Sequence, residues 1–477
     1  MKATNTIKTM KRYLHIPKRI YDMGSIDKFR PPIPVQYASS TQAEKLRDIV
    51  TTNFKNKTAS ITYGCTDPCM VSHMNKHLDT IYVSGWQTAS LSATDSGVGP
   101  DFADYPHDSV SKLVNRLFKA QLFHATKHKS KTNNISPIIA DADTGHGGIT
   151  SMMRMTRNFI ESGVGGIHIE DQKHGVKKCG HMGGKVLCST REHIVRLNSA
   201  RLQADIMGVP LFIIARTDAV DAKYIDTDID TRDHKHIKGH CQDGNIRTLR
   251  EEISKRLVEK GQNEEKYSFD KVMKDNFMSF EEIKNYGTQL LGESFYWDHS
   301  HPNARSSDGF YSIQGSDTFA MERAIHFGEY SDSVWIETST PSQKQARLHS
   351  SAIHNKLSSL PLSYNNSPSF NWDAANMNDT EIREWTDNLG KMGYAWQFIT
   401  LAGIHNIALN TDKFAKSFSK EGMLSYVRNI QREERVNHLE MLTHQKWSGA
   451  NMSEEIQGLL GENDTSSCGT ESTENQF

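Results

Sequence analysis

The sequence has no long apolar run and almost no net charge. None of its hydrophobic stretches approaches the ~20 residues that are needed to cross a bilayer. Lys and Arg number 56 and Asp and Glu number 57, so the net charge at pH 7 is −1. Such a balance gives no reason to expect nucleic acid or an anionic membrane as the main partner. With 36% hydrophobic and 24% charged residues, the composition is typical of a soluble globular protein.

Cysteine is also scarce, with six residues in a chain of 477. Secreted proteins that depend on disulfides are short and rich in cysteine, so we expect reduced thiols inside a cell. Residues 1–30 contain no apolar segment of the kind found in a secretory signal. Residues 1–21 carry six Lys and Arg and no acid. That pattern fits a mitochondrial transit peptide and a solvated basic tail equally well.

Eight short apolar runs each end in polar or small residues. They are nearly continuous in their apolar part, as strands buried on both faces are. Helical patterns such as residues 189–208 lie between most of them. Eight strands alternating with helices predict a (β/α)8 TIM-like barrel whose polar strand ends form the active face. The runs are 58–65, 79–86, 136–143, 165–172, 210–218, 333–341, 362–370 and 395–403.

The spacing of these runs predicts how the chain is divided. The step from the run at 210 to the run at 333 is much longer than the others, so we expect an insertion there. A nucleotide-binding open sheet is the structural alternative, but no G-x-G-x-x-G turn follows a first strand. We therefore expect an N-terminal helical segment at 1–57, the first part of the barrel at 58–221, a helical insertion at 222–294, the second part of the barrel at 295–403, and C-terminal helices with a tail at 404–477.

Acidic residues follow several of the predicted strands. "ADADTGHGG" contains Asp141 and Asp143, "IHIEDQ" contains Glu170, and "GVGPDFADYP" contains Asp101. Taken singly, each acid fits a helix cap or a surface group. Together at the mouth of a barrel, carboxylates without a Cys/His tetrad favour a hard cation such as Mg²⁺ over zinc.

Polar residues that suit an anionic ligand follow other strands. Arg216 ends the run "ARTD", where it fits either a structural pair with an acid or a clamp on a substrate carboxylate. "NNSPSF" contains Asn365, Ser367 and Ser369, which fit either neutral donors to a second carboxylate or a serine-rich turn. Thr400 follows the last strand.

The segment "HGVKKCGHMGGKVL" contains one cysteine among basic residues. Lys177, Lys178 and His181 surround Cys179, so we expect a lowered thiol pKa and a role in proton transfer near neutrality. The alternative is a small residue that is simply packed in the fold.

These motifs resemble the isocitrate lyase family, within the wider isocitrate lyase/phosphoenolpyruvate mutase superfamily. The resemblance is carried by "KKCGHM", which is the family signature, and by "SGW", "ADADTGHGG", "IHIEDQ", "ARTD", "WIET", "NNSPSFNW", "QFITLAG" and "THQKWSGA". It implies a barrel whose C-terminal helical region is exchanged between the subunits of a homotetramer. It also implies Mg²⁺-dependent retro-aldol cleavage of isocitrate to glyoxylate and succinate, with Mn²⁺ able to substitute. That reaction is the first step of the glyoxylate bypass.

The resemblance also implies a role for each residue of the site. Cys179 protonates the succinate aci-anion, and Tyr82 is the candidate base at the C2 hydroxyl. The cation would be held by Asp141, Asp143, Asp101 and Glu170. The glyoxylate half would be held by Ser84, Gly85, Trp86 and Arg216. The succinate half would be held by Gly180, His181, Asn365, Ser367, Ser369 and Thr400.

A close alternative is 2-methylisocitrate lyase, which cleaves a substrate with one extra methyl to pyruvate and succinate in the mitochondrial methylcitrate cycle. The bulky residues Trp335 and Phe398, with Thr400, match the closed pocket of the isocitrate enzymes. One methyl is worth only ~1–3 kcal/mol in a pocket, so crossover activity is expected. The resemblance implies a cytoplasmic or glyoxysomal/peroxisomal location, and the basic N-terminus keeps a mitochondrial location open.

Overall fold

The computed structural model describes residues 14–92, 99–129 and 134–460. They form two compact units. The first contains residues 14–119 and 136–401, and the second contains residues 120–135 and the chain from residue 402. No helix within the described ranges combines the length and the apolar character that a membrane crossing requires.

The strands are numbered here in chain order. They are β1 (Ser60–Tyr63), β2 (Ile81–Val83), β3 (Ile138–Asp141), β4 (Gly166–Glu170), β5 (Val186–Leu187), β6 (Phe212–Thr217), β7 (Tyr224–Ile225), β8 (Lys238–Cys241), β9 (Ile246–Thr248), β10 (Trp297–Asp298), β11 (Tyr311–Ser312), β12 (Ser333–Ile336), β13 (Leu362–Asn365) and β14 (Tyr394–Ile399).

The α-helices are numbered in the same way. They are α1 (Ala38–Asn56), α2 (Pro68–Met74), α3 (Gly85–Ser92), α4 (Ser109–Lys127), α5 (Ile149–Glu161), α6 (Thr190–Met207), α7 (Thr231–His234), α8 (Leu249–Glu259), α9 (Asn263–Asp275), α10 (Phe280–Leu291), α11 (Asp317–Gly328), α12 (Gln343–His354), α13 (Asp379–Lys391), α14 (Ala402–Glu421), α15 (Met423–Tyr426), α16 (Arg432–Val436), α17 (His444–Ser448) and α18 (Ala450–Gly458).

Eight parallel strands form a closed barrel in the first unit. Their order is β1-β14-β13-β12-β6-β4-β3-β2. Gly64 bridges to Tyr82 in parallel, and the Cys65 N–H donates to the Tyr82 carbonyl at 2.8 Å, so β1 and β2 close the ring. Each of the eight predicted strands overlaps one of these barrel strands, and the predicted (β/α)8 barrel is confirmed.

The register places the functional strand ends at one mouth. Glu170 on β4 lies opposite Arg216 on β6, and Asp141 on β3 lies opposite His168 on β4. Below the mouth, aromatic side chains fill the barrel. The Phe398 ring centroid lies 4.6 Å from that of Tyr82, 4.4 Å from that of Trp396 and 5.0 Å from that of Trp335. The barrel is thus a packed core with a polar rim.

The segment predicted as a helical insertion contains strands as well as helices. Strand β8 pairs with β9 and β10, and β7 pairs with β5 and β11. Helices α8, α9 and α10 pack around a separate apolar cluster that includes Ile253, Phe269 and Trp297. The strands have two to four residues and carry polar letters such as "KGHC", so they lack the alternation that would predict them. Strands β10 and β11 lie beyond residue 294 and pair back into this segment.

Asp332 links strands and helices at the N-terminal end of the barrel strands. It directly precedes β12, and its Oδ2 accepts a hydrogen bond from the Ile213 N–H on β6 at 2.8 Å. The same carboxylate pairs with Arg47 from α1 and Arg201 from α6. Burial alone would raise the pKa of Asp332, but Arg201 and Arg47 outweigh it and hold the pKa well below its ordinary value.

We expect Asp332→Asn to destabilise the protein by about 3–5 kcal/mol, because it leaves two buried guanidinium groups without their counter-charge. The measurement is the free energy of unfolding from guanidinium denaturation. Asp387→Asn, at an exposed position on α13, is the control and should change stability by no more than about 0.5 kcal/mol. Equal unfolding midpoints for the two variants would contradict the role given to Asp332.

Candidate active site

The C-terminal ends of the barrel strands surround a cavity with an empty volume of about 590 Å³. It opens at the face that the sequence predicted to be active. The predicted site residues that line it are Tyr82, Ser84, Trp86, Asp141, Cys179, Gly180, His181, Arg216, Asn365, Ser367, Ser369 and Thr400. The other four, Gly85, Asp101, Asp143 and Glu170, each contact a residue of the lining.

The turn after β3 organises the acids at the mouth. Asp141 Oδ1 accepts from the Asp143 N–H at 2.8 Å, and its Oδ2 accepts from the Gly85 N–H at 3.0 Å. Asp143 has a φ of 54°, a left-handed conformation that Asp adopts more readily than most residues. This turn directs the Asp143 carboxylate towards Lys177, whose Nζ lies 2.5 Å from its Oδ2.

Lys177 is shared by two of the predicted metal-binding acids. Besides Asp143, its ammonium lies 3.3 Å from Glu170 Oε1. Burial alone would raise the pKa of Asp143, but Lys177, His146 and the Thr144 N–H together outweigh it and hold the pKa well below its ordinary value. Burial raises the pKa of Glu170 to about 8, even though Arg216 and Lys177 act in the opposite direction. The Glu170 carboxylate therefore has a much stronger tendency to hold a proton than the Asp143 carboxylate.

The donors at this end of the cavity fit a hard cation by their chemistry. They are carboxylate oxygens, and both oxygens of Glu170 are buried without a hydrogen bond. Within the described part of the chain, however, these acids do not bring three ligand atoms within 4.8 Å of one another. The ammonium of Lys177 provides the positive charge between Asp143 and Glu170. A divalent cation held by both acids would have to displace it.

Asp101 is oriented by two other parts of the site. Its Oδ1 accepts from the Trp86 indole N–H at 2.8 Å, and its carbonyl accepts from the Cys179 N–H at 2.7 Å. Asp101 thus connects the segment after β2 to the loop that carries the thiol.

Arg216 makes the pairs with acids that its sequence position allowed, and its role as a clamp on a substrate carboxylate stays a prediction. Its Nε and Nη2 donate to Asp218 at 2.9 and 3.0 Å, and its Nη1 lies 3.0 Å from Glu170 Oε2. The guanidinium carbon lies 4.4 Å from the centroid of the Trp335 ring. Arg216 is therefore held rigidly by acids on two sides while it still lines the cavity.

The loop with Cys179 is held at several points. Gln172 donates to the Lys178 carbonyl at 2.9 Å, and buried Lys185 donates to the Gly180 carbonyl at 2.7 Å and to Asp218 at 3.2 Å. A Cβ on Gly180 would lie 2.6 Å from Arg216 Nη2. Only glycine therefore lets the loop approach Arg216 this closely.

The predicted lowering of the Cys179 pKa is wrong. Burial raises the pKa of the thiol above its ordinary value, and the His181 backbone N–H and Arg216 counter this only in part. The neighbouring lysines are engaged elsewhere, with Lys177 at Asp143 and Lys178 at the Gly183 carbonyl. Sequence adjacency suggested a stabilised thiolate, but the loop turns those charges away from the sulfur. Near neutrality the thiol keeps its proton.

Another part of the cavity wall contains neutral donors and one acid, Glu337, that was not among the predicted site residues. His181 Nε2 lies 2.6 Å from Ser367 Oγ and 3.3 Å from Glu337 Oε1. Asn365 Nδ2 donates to the same Glu337 oxygen at 3.2 Å. Glu337 follows β12 in "WIET", so the pattern of acids at strand ends could have identified it. Asp218 directly follows β6 in "ARTD" and carried the same signal, whereas Lys185 had none, because its role comes from tertiary contacts.

Tyr82 lies at the base of the cavity and is fully buried. Its hydroxyl lies 3.0 Å from His168 Nε2. Burial raises the pKa of Tyr82 well above its ordinary value, and burial also lowers the pKa of His168 to about 4. Near neutrality both groups are uncharged, and the role of Tyr82 as a base stays a prediction.

A closed parallel barrel with acids, a guanidinium and a loop thiol at its C-terminal mouth is the arrangement of a (β/α)8-barrel enzyme. The sequence profile of the isocitrate lyase family matches residues 6–266 and 247–477. The chain belongs to this family, whose members are carbon–carbon lyases.

Curated relatives match almost the whole chain. An isocitrate lyase from Pinus taeda is 39% identical over 520 residues, which cover 97% of this chain and 89% of the relative. An isocitrate lyase from Saccharomyces cerevisiae is 38% identical, with coverage of 93% and 89%. A protein named mitochondrial 2-methylisocitrate lyase, also from S. cerevisiae, is 35% identical, with coverage of 96% and 89%.

The raised pKa predicts how Cys179 reacts. We expect its rate of alkylation by iodoacetamide to keep rising above pH 9, because the thiolate forms only there, and to be slower at pH 7 than that of a free cysteine of pKa ~8.5. Peptide mass spectrometry measures the rate at this site, with the half-buried Cys69 in the same sample as the internal comparison. A rate that reaches its plateau below pH 8 would contradict the assignment.

Proposed function

We propose that the protein cleaves isocitrate to glyoxylate and succinate, the first step of the glyoxylate bypass. The observation that carries this proposal is one cavity whose lining combines two kinds of group with a thiol. Asp141 and Arg216 supply a carboxylate and a guanidinium, Asn365 and Ser367 supply neutral donors, and Cys179 lies on the loop beside them. A substrate with a hydroxy-acid end and a dicarboxylate end suits this combination.

A divalent cation, Mg²⁺ with Mn²⁺ able to substitute, is part of the proposal. Asp141, Asp143, Glu170 and Asp101 are the residues that would hold it. When bound, such a cation polarises the hydroxyl and carboxylate oxygens of the substrate. The concentration of carboxylate oxygens at this mouth supports the assignment, and the two buried oxygens of Glu170 already face the cationic groups of Lys177 and Arg216.

The residues on the glyoxylate side bind and orient the end that is released as the aldehyde. Arg216 supplies fixed positive charge, since Asp218 holds its guanidinium with two hydrogen bonds. The segment Ser84–Gly85–Trp86 is fixed by the contacts of Gly85 with Asp141 and of Trp86 with Asp101. A base takes the C2 hydroxyl proton, and the C2–C3 bond then breaks to leave glyoxylate. Tyr82 is the candidate base, a role it could fill only as the phenolate, which its raised pKa disfavours.

The electron pair of the broken bond passes to the succinate half as an aci-anion. His181, Asn365, Ser367 and Ser369, with Gly180 and Thr400, would hold the carboxylates of that half. The Cys179 thiol then gives its proton to carbon, and its raised pKa supports this role because the thiol is protonated before the reaction. In the reverse direction the thiolate would act as the base.

The 2-methylisocitrate reaction is the alternative and is less well supported. The relatives named isocitrate lyase are 38–39% identical, against 35% for the one named 2-methylisocitrate lyase. Trp335 and Phe398 stand behind the cavity lining, where they pack on Arg216 and Tyr82. Trp335 and Phe398 therefore affect the substrate through the positions of Arg216 and Tyr82.

A homotetramer with exchanged C-terminal helices is also proposed. In the second unit, α14 buries only Gly403, and the apolar side chains of Ile407, Leu409 and Phe418 are exposed. Ile407 and Phe418, eleven residues apart, share one face of this 20-residue helix, and a second subunit would cover that face. The cellular location stays a prediction.

The substrate is tested by a paired assay. We expect purified protein with Mg²⁺ to release glyoxylate from isocitrate with a kcat/KM at least ~10-fold higher than that for pyruvate release from 2-methylisocitrate. A factor of ~10 is the smallest discrimination expected from one methyl group that does not fit a pocket. Glyoxylate and pyruvate are measured as hydrazones, and EDTA should abolish both until Mg²⁺ is restored. Preference for 2-methylisocitrate would select the alternative.

The role of Cys179 is tested by substitution. We expect Cys179→Ser to keep the unfolding temperature and to lower kcat by about 10²–10⁴-fold, the usual contribution of a positioned proton donor. Cys69→Ser, a thiol outside the cavity, should keep normal turnover. Near-normal turnover of Cys179→Ser would make Cys179 a packed residue without a chemical role.

A further inference from the structure

We infer that the second unit holds one divalent transition-metal cation through His124, His128 and Glu440. One ligand atom from each of these residues lies within 4.8 Å of the other two. Among the described residues, no other set of His, Cys, Asp or Glu meets that criterion. All three residues belong to the second unit, whereas the acids at the barrel mouth belong to the first, and the proposed cleavage uses none of the three.

The end of α4 places the two histidines. The His128 N–H donates to the His124 carbonyl at 3.0 Å, so the helical hydrogen-bond pattern continues one residue past Lys127. Residues four apart lie on the same helix face, so both imidazoles point to the same side. The C-terminal end of a helix carries partial negative charge, which favours a cation there. Glu440 begins a short 3-10 turn that faces this end.

The observed spacing matches metal ligation. His128 Nε2 and Glu440 Oε2 are 3.2 Å apart. Metal–nitrogen and metal–oxygen bonds of ~2.0–2.1 Å in a tetrahedral site put neighbouring ligand atoms ~3.3 Å apart. The pair thus already has the separation of two ligands. His124 rests against the Trp447 ring, with centroids 5.2 Å apart, and one of its ring nitrogens lies within 4.8 Å of the other two ligand atoms.

Lys127 orients the carboxylate and also limits the affinity. Its Nζ donates to Glu440 Oε1 at 2.8 Å and to the Trp447 carbonyl at 2.9 Å. This contact occupies one carboxylate oxygen and leaves Oε2 facing His128, as an outer partner does in many metal sites. The ammonium also repels a second cation, so the site should bind more weakly than the same ligands without Lys127.

The donor set selects the class of metal. Two imidazoles and one carboxylate suit Zn²⁺, Co²⁺ or Ni²⁺, whereas Mg²⁺ prefers oxygen ligands throughout. The ligands come from both chain segments of the second unit, which are far apart in sequence. Bound metal would fasten the segment around Glu440 to the end of α4, and a fourth coordination position would remain for water.

The test uses the full-length chain, stripped with EDTA and then titrated with Zn²⁺ in a large excess of Mg²⁺. The Mg²⁺ keeps hard-cation sites occupied. We expect the unaltered protein to bind one more Zn²⁺ per chain than His128→Gln does, and to gain thermal stability from Zn²⁺ that His128→Gln does not gain. His77→Gln, an exposed histidine outside this cluster, should behave like the unaltered protein.

Equal Zn²⁺ stoichiometry and equal thermal shifts in all three proteins would overturn the inference. A second measurement needs no variant and so does not depend on whether His128→Gln folds. X-ray absorption of the Zn²⁺-loaded protein, still in excess Mg²⁺, should show two imidazoles in the first coordination shell. A shell of oxygen alone would also overturn it.

Discussion

Closure of the parallel sheet between β1 and β2 is the constraint on which the rest of the first unit depends. Once the ring is closed, the carboxyl ends of all eight strands must meet at one mouth. Gly64, which bridges to Tyr82 at this closure, has no room for a side chain, since a Cβ there would lie 2.3 Å from the Thr400 carbonyl. Residues that are hundreds of positions apart, such as Tyr82 and Thr400, consequently line the same cavity.

The mouth is held together by charges that balance one another. Lys177 neutralises Asp143 and contacts Glu170, Arg216 bridges Glu170 and Asp218, and Lys185 holds Asp218 to the thiol loop. Buried charges of this kind are stable only as pairs. Any ligand that engages the acids must therefore compete with Lys177. Because Lys177 lies two residues before Cys179, the acid cluster and the thiol loop are mechanically connected.

The sequence was most informative where a local pattern is compatible with only one kind of secondary structure. Eight apolar runs gave eight barrel strands, because a strand buried on both faces requires an apolar segment of that length. The polar residues after each run then fell at the mouth. Sequence was least informative in the long insertion, where strands such as β8 and β10 are too short and too polar to show a period. Pairing with distant partners, not local pattern, makes them strands.

The sequence by itself determined the barrel, its active face and the chemical type of its site residues, since these follow from local apolar pattern and residue identity. Only the tertiary structure decided the electrostatics. Sequence adjacency suggested that Lys177 and Lys178 would lower the pKa of Cys179, but the fold directs those ammonium groups to Asp143 and the Gly183 carbonyl, and burial raises the pKa. The tertiary structure also brings Glu337 into contact with His181 and Asn365, and Glu440 into contact with His128. Charge interactions depend on the distance between groups in space and on their burial, and neither quantity can be read from the order of residues along the chain.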